Sequence, residues 1–372
     1  MDAWATPHLT AGRNTHMSTP VRIGIVGAGA VVVHGHVPSL QAIPGVQVIA
    51  ICDTNLARAQ EAAAKFNIPH VFADYRDLIA RDDVDAITVA VPNVFHAPVA
   101  IAALEAGKHV LCEKPLATSV EDGKAMVAAA EKAGKVLAIN MSNRPRPEIL
   151  MLRQMAQAGR FGKITYAFGR MLRRNGIPGY GSWFTRKELA GGGATMDIGV
   201  HMLDMVYWIL GFPPVSTVRG EIQAVHGPYE RGLGGWGADH VPGGTFDVDD
   251  LAAIHLRLAN GGLVTIEVTW AIHARNEERI QIAGDLAGAD YFPDLYGRDH
   301  PLRIYRTEDG VPVEVAPDVP KKEWAWAEGF RHFVAACRGE GAPLATGAEG
   351  LAVLRLLEAA YRSAAAGTEV RV

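Results

Sequence analysis

The sequence predicts an α/β chain: a doubly wound parallel sheet at the N-terminal end, then an α+β domain on a large, mostly antiparallel, open-faced sheet. Three observations predict this. Up to about residue 140, strands that are apolar throughout alternate with amphipathic segments. Beyond Asn143 the strands lengthen, alternate apolar with polar residues, and succeed one another with few helices between. The length, 372 residues, suits two domains at roughly 150 residues each.

Residues 21–26 are a short apolar run ending at Gly27, and a glycine-containing turn leads into a helical stretch through Leu40. Residues 46–52 are a second run, closed by Asp53, and the Ala-rich amphipathic stretch 56–66 reads as helix. Residues 86–91 form a third strand, halted by Pro92; a helix over 98–106 stops at Gly107. Residues 109–112 form a fourth strand, ending in Glu113-Lys114-Pro115. Thr118 and Glu121 make a capping box for a helix to Ala133, Gly134 ends it, and 136–140 is a fifth strand. Strands without a polar face imply a parallel sheet covered on both sides, with ligands at the carboxyl ends.

In the second half, 164–170, 216–225, 250–258 and 262–270 read as longer alternating strands, with short ones at 279–283 and 302–306. A strong helix over 197–210 interrupts them and stops at Gly211, before Pro213. Two helices, 324–337 and 348–366, close the chain. The Gly-rich loop 227–244 reads most simply as a surface insertion, with a lid or a subunit contact as other readings. Residues 1–19 are polar and irregular, with no apolar signal core, and read as a flexible leader. The predicted division is leader 1–19, first domain 20–142 and second domain 143–372.

Hydrophobic residues make up 49% and charged residues 20% of the chain, so a large core can form. Lys plus Arg is 36 and Asp plus Glu 40, a net charge of −4. That argues against nucleic acid or an anionic membrane as bulk electrostatic partners, and no apolar run is long enough to span a bilayer. The three cysteines, Cys52, Cys112 and Cys337, form no CxxC pair. This disfavours a disulfide scaffold or zinc ribbon and fits a reducing, cytoplasmic setting.

Gly27-Ala28-Gly29 comes after a strand and opens a helix. Gly27 permits a tight turn, and Gly29 lets the backbone, with Ala30 and Val31 in the first turn, approach a pyrophosphate at a helix N-terminus. The third glycine position holds Val32. Asp53 ends the second strand where an acidic side chain binds ribose hydroxyls and repels a 2′-phosphate. Arg58 lies a turn further on. Together they point to a Rossmann-type domain binding NAD rather than NADP.

The set Gly27-Ala-Gly29, His36-Val-Pro38, Val91-Pro-Asn93-Val-Phe-His96, Glu113-Lys-Pro115 and Gly191-Gly-Gly-Ala-Thr-Met-Asp197-Ile-Gly-Val-His201 resembles the Gfo/Idh/MocA (glucose–fructose oxidoreductase, inositol dehydrogenase, rhizopine catabolism) oxidoreductases. The likeness runs from about Val21 to the C-terminus and includes Phe330-Arg-His-Phe-Val, Thr346 and Tyr361-Arg-Ser363. It implies a dehydrogenase acting on sugars, inositols and related polyols with a tightly held nicotinamide cofactor. It also implies a second domain whose open sheet carries the substrate site and pairs subunits into a homodimer or homotetramer. By the resemblance, Lys114, Asp197 and His201 are the catalytic trio. His201 is then the base, Lys114 stabilises the alkoxide, and Asp197 orients the hydroxyl or the imidazole; the alternative makes Lys114 the base. Pro92, Asn93, His96 and Glu113 match positions lining the cofactor near its nicotinamide end.

The residues themselves agree with that trio. Asp197 and His201, four apart, share a face at a helix start; Asp204 and Trp208 continue it, while Ile198, Met202, Met205 and Ile209 read as core. Glycines 191–193 allow close approach by a ligand or another backbone. Pro115 disposes Lys114 to an extended strand end. Asp and His at this spacing suit a metal as well, but no third ligand has metal spacing, so no metal is expected. No nucleophile-elbow motif supports a hydrolase triad. For the substrate side, residues 170–184 hold Arg173, Arg174, Asn175, Tyr180, Trp183 and Phe184 among glycines, a mixture that suits a sugar's apolar faces and hydroxyl rims. Arg144 at the domain junction and Trp270 and His273 at a strand end join Tyr180 and Trp183 as candidates. Two other functions stay open: a glycoside hydrolase or lyase that oxidises a ring transiently with bound NAD, and a non-catalytic NAD-binding regulator, whose mark would be loss of Lys114 or His201.

Overall fold

The computed structural model describes residues 20–319 and 326–372. The proposed leader, and the start of the helix read from residue 324, lie outside the described residues. The first sheet is parallel and has strands β1 (Val21–Val26), β2 (Val46–Cys52), β3 (His70–Phe72), β4 (Ala86–Val89), β5 (His109–Cys112) and β6 (Leu137–Ile139). Their order is β3-β2-β1-β4-β5-β6. The chain winds outward in both directions from β1, and β1 and β4 meet at the switch point where such sheets bind ligands. Ile23, Ile25, Ile51 and Ile87 are fully buried, as expected for strands covered on both faces.

The sequence reading missed β3 and the helix after it, Tyr75–Ile79, whose pieces of three and five residues are too short to show a period. It also placed one cap a residue early. Ser119, not Thr118, caps the helix Val120–Ala133, its side chain accepting from Asp122 N. The strand expected to reach residue 91 ends at Val89.

The second sheet has nine strands: β7 (Ile164–Leu172), β8 (Val215–Gln223), β9 (Leu251–Leu258), β10 (Leu263–Thr269), β11 (Glu277–Gly284), β12 (Ala287–Tyr291), β13 (Leu302–Glu308), β14 (Val311–Val315) and β15 (Val370–Arg371). Their order is β14-β13-β12-β11-β7-β10-β9-β8-β15. Every pairing is antiparallel except β7 with β10. The sheet is therefore mostly antiparallel, as the alternation predicts. On its inner face, a Cβ at Gly169 of β7 would stand 2.7 Å from Met202 Sδ and 2.9 Å from Val206 Cγ2. That close seating is what lets the helix Val200–Ile209 lie down on β7.

The closing helices reach back to the first domain. Phe330, Phe333 and Val334 join the apolar cluster of Val21, Ile23 and Val32. Ile139 N donates to Ala345 O at 3.0 Å. The helix Gly347–Ala366, opened by a complete Thr346/Glu349 capping box, packs on the helix Val120–Ala133 and on β8. The closing helices thus pack across the boundary at residues 142/143.

Arg144, expected beside the substrate, is instead fully buried. Its guanidinium makes a two-pronged pair with Asp204 (2.9 and 2.7 Å) and donates to Leu344 O and Glu349 Oε2, both at 2.9 Å. Trp208 and Phe212 rings flank it, 5.2 and 5.6 Å from the guanidinium carbon. This use of its donors on protein acceptors corrects the substrate assignment. Among the described residues, no helix is long and apolar enough to cross a membrane.

Removing one member of a buried pair strands the other charge. We expect R144A to lose about 3–5 kcal/mol of stability, read from denaturant unfolding. The double variant R144A/D204A should recover part of that loss, because the buried Asp204 carboxylate is then no longer stranded; simple additivity of the two single losses would contradict this.

Candidate active site

The cofactor side is built at the carboxyl ends of β1, β2 and β4. Gly27 succeeds β1 with φ +108°, and a Cβ there would stand 2.1 Å from Ala90 O, so only glycine fits. Nothing lies within 4 Å of where a Gly29 Cβ would be, leaving the open approach that a pyrophosphate needs. Asp53 Oδ2 accepts from Ala28 N and Oδ1 from Asn55 N, both at 2.8 Å. The carboxylate thus braces the glycine turn and keeps spare acceptor capacity for hydroxyls. Ala30 is exposed and Val31 half-buried at the turn. Arg58 is exposed, and its backbone N–H caps on Asn55 Oδ1.

Val32, at the unusual third glycine position, is fully buried. The helix here begins as a π turn, Val32–His36, before continuing as Val37–Gln41. A π turn holds one more residue than an α turn. Val32, Gly35 and His36 are buried there, and His34 is exposed.

The Glu113-Lys114-Pro115 motif is held from behind. Glu113 accepts from His36 Nε2 (2.8 Å), Asn140 Nδ2 (2.6 Å) and Lys114 N (3.2 Å). Burial opposes its ionisation, but these donors and the Lys114 charge hold its carboxyl down at about 2. His96 is buried, with Nδ1 2.7 Å from Pro115 O and Nε2 3.0 Å from Val91 O. Burial disfavours its protonation, so a neutral ring donates to one of the two carbonyls. Asn93 donates to Ala190 O at 2.9 Å, tying the first domain to the segment before Gly191. Pro92 is half-buried just ahead of it. Asn93, His96 and Glu113 therefore all engage protein groups that position the motif.

The second domain brings its own set against Lys114. Lys114 Nζ is 2.7 Å from Asp197 Oδ1 and 3.0 Å from Asp197 O. Trp270, expected at the substrate, is fully buried and donates its indole N–H to Asp197 Oδ2 at 2.8 Å. Burial pushes the Asp197 carboxyl up, but Lys114, Arg173 and the indole outweigh it and hold it below the ordinary range. Asp197 lies in another π turn, Thr195–Gly199, ahead of the helix that starts at Val200. His201, half-buried, is pushed down to about 3 by burial and by the Lys114 ammonium. Its imidazole is neutral near pH 7 and available as an acceptor.

What holds this helix start is Asp249, a residue the sequence reading missed. Its carboxylate accepts from Gly193 N (2.8 Å), Thr195 N (2.8 Å), Thr195 Oγ1 (2.7 Å) and Tyr361 OH (2.6 Å). A Cβ at Gly193 would stand 1.8 Å from Asp249 O, and one at Gly192 2.0 Å from Tyr361 OH. The glycines serve close approach by other parts of the protein, one of the two readings that the run allows. The acid-rich run Asp247-Val-Asp249-Asp250 just before β9 was the available signal.

Beyond the trio, Tyr180 is 5% exposed, with its ring stacked on Phe246 and edge-on to His240. Trp183 is partly exposed and stacks on Phe184 at 3.8 Å. His273 meets His226 edge-on at 4.9 Å. The loop 227–244 is not a detached insertion: Gly176 N donates to Gly232 O (2.9 Å), Gly234 N to Ile177 O (2.8 Å) and Val241 N to Tyr180 O (2.7 Å). It is laced to the candidate substrate segment. Among the described residues, no group of three or more His, Cys, Asp or Glu is placed to hold a metal.

Residues 21–141 match the profile described as "Oxidoreductase family, NAD-binding Rossmann fold", and residues 149–289 match the Gfo/Idh/MocA C-terminal domain. D-Glucoside 3-dehydrogenase of Escherichia coli is 32% identical over 357 residues, covering 95% of this chain and 98% of that protein. The chain belongs to the Gfo/Idh/MocA oxidoreductase family. Among other members, levoglucosan dehydrogenase of Pseudarthrobacter phenanthrenivorans is 35% identical over 246 residues, 63% of this chain and 61% of that one. A solved levoglucosan dehydrogenase in complex with NADH superposes with a TM-score of 0.83 at 26% identity, covering 95% of this chain and 99% of that one.

The Lys114 charge disfavours protonation of His201, so K114M should raise the His201 pKa, read from imidazole NMR titration of the cofactor-free protein; an unchanged value would separate the two residues. An unfolded histidine takes a proton near 6.5, and folded His201 only near 3. The unfolded state therefore binds more protons between those values, and the His201 contribution to stability declines as pH falls through that window. In H201N that part of the acid-side slope should disappear from unfolding curves.

Proposed function

We propose that the protein is an NAD-dependent dehydrogenase that oxidises a secondary hydroxyl of a sugar, glycoside or cyclitol. The observation that carries this reading is the Lys114–Asp197 pair at 2.7 Å, set across the two domains with His201 in electrostatic range. Lys114 comes directly after the carboxyl end of β5, the end of the Rossmann sheet at which its switch point receives ligands. Gly27, Gly29, Ala30 and Val31 would receive the pyrophosphate, and Asp53 the adenosine ribose; the open approach at Gly29 fits that group. When bound, the nicotinamide supplies a hydride acceptor.

The chain's residues then have separate tasks. Neutral His201 takes the hydroxyl proton. The Lys114 ammonium stabilises negative charge on the oxygen as the proton leaves. Asp197, fixed by Trp270, keeps Lys114 charged and aimed. Trp183 and neighbouring polar groups of the 170–184 segment face the substrate. Second copies of the chain pair through the open face of the nine-stranded sheet.

The low value for His201 favours a second reading of the proton step. An imidazole near 3 is a weak base, and Lys114, once neutral, would take the proton instead. If His201 is the base, H201A should cut kcat by roughly 10²–10⁴ with NAD affinity nearly unchanged, and K114A should be at least as damaging. Near-normal kcat in H201A with the native pH profile would transfer the role to Lys114.

A panel of free sugars, methyl glycosides, anhydrosugars and inositols, monitored by NADH absorbance, tests the reaction class. At least one should yield net NADH; glycosidic cleavage without net reduction would mark the transient-oxidation chemistry instead. NAD should give much higher kcat/KM than NADP, because Asp53 repels a 2′-phosphate. D53A should narrow that gap, and equal efficiency in the unchanged protein would sink the ribose assignment.

A further inference from the structure

The loop 227–244 places an aromatic ring where nothing in the trio uses it. Trp236 is 40% exposed, a large apolar surface left in water. Its ring is fixed: the Arg173 guanidinium carbon sits 5.0 Å from its centroid, and it meets Phe184 edge-on at 5.8 Å. Its carbonyl accepts from Gly179 N at 3.1 Å. Arg173 is anchored beside the catalytic centre, with its backbone N–H on Thr269 O at 3.1 Å, next to the Trp270 that holds Asp197. Its charge acts on both Asp197 and His201. Arg173 therefore links that centre to Trp236: its backbone is bonded to the end of the strand that precedes Trp270, and its guanidinium lies over Trp236.

We propose that Trp236 is the floor of a second sugar-ring subsite, and that the substrate is a glycoside whose aglycone is itself a ring. This rests on the dehydrogenase reading above. The ring to be oxidised lies at Lys114 and His201, with Arg173 donating to its hydroxyls. The aglycone lies one guanidinium further out, its C–H face on the exposed indole. An aromatic face beside a multiply donating cation is the pairing a pyranose prefers, with apolar faces and a polar rim. The fixed ring spares the ordering entropy that a mobile loop would cost on binding.

The test compares a methyl glycoside with a disaccharide of the same reducing-blocked sugar, in the unchanged protein, W236A and W236F, all with saturating NAD. In W236A the ratio of kcat/KM for disaccharide over methyl glycoside should fall about 3- to 10-fold, the worth of one aromatic contact. W236F should restore most of it. An unchanged ratio in W236A, including equal loss on both substrates, overturns the subsite. Failure of every compound in the wider panel above to yield NADH would overturn the dehydrogenase reading instead. The subsite is then decided by the same ratio of dissociation constants, from calorimetry on the NADH-loaded proteins.

Discussion

A single buried cation holds the architecture together. Arg144 has no exposed surface, and a guanidinium withdrawn from water must find acceptors for its donors or the fold does not form. Its acceptors come from two places far apart in sequence: Asp204 on the helix that lies on the second sheet, and the neighbouring pair of the Leu344 carbonyl and Glu349 in the first turn of the closing helix. Arg144 itself sits just after the last strand of the first sheet. Satisfying it fixes the two sheets and the closing helix in one arrangement, and the two-pronged geometry with Asp204 leaves little rotational freedom.

The candidate active site is assembled by that arrangement. Lys114 belongs to the first domain and Asp197 and His201 to the second, so their meeting depends on how the sheets are set. Each side is then stiffened locally. Glu113, held ionised by His36 and Asn140, fixes the backbone at Lys114. Asp249 gathers the backbone N–H groups of Gly193 and Thr195 and sets the start of the helix bearing Asp197 and His201. Trp270 takes the remaining oxygen of Asp197. Electrostatically the centre is a compromise: the ammonium that would stabilise a developing alkoxide also lowers the basicity of the histidine near it.

Both functional helices begin with π turns, at Val32–His36 and Thr195–Gly199. Each inserts one residue into the turn and shifts the phase of the rest of its helix. The first ends at His36, which meets Glu113. The second holds Asp197. Periodicity read at 3.6 residues per turn does not reveal such a shift, because it is a property of one turn and not of a repeat.

The two-sheet architecture is legible in the residue pattern, because burial on one face or two writes itself into the alternation of side chains. The NAD-binding Rossmann domain and the family are legible as well, because linked motifs carry them. The pattern did not reveal β3, too short to show a period, or Asp249, whose partners lie more than fifty residues away. It assigned Arg144 and Trp270 to the substrate because an arginine at a domain junction and an aromatic at a strand end look alike whether they face a ligand or a carboxylate. Tertiary contacts were needed to establish that one clamps Asp204 and the other orients Asp197. The same holds for the 227–244 loop, whose glycines announce a turn-rich segment but not the surface it lies on. Local sequence encodes local conformation and burial; which buried polar group finds which partner is a long-range contact that no local pattern records.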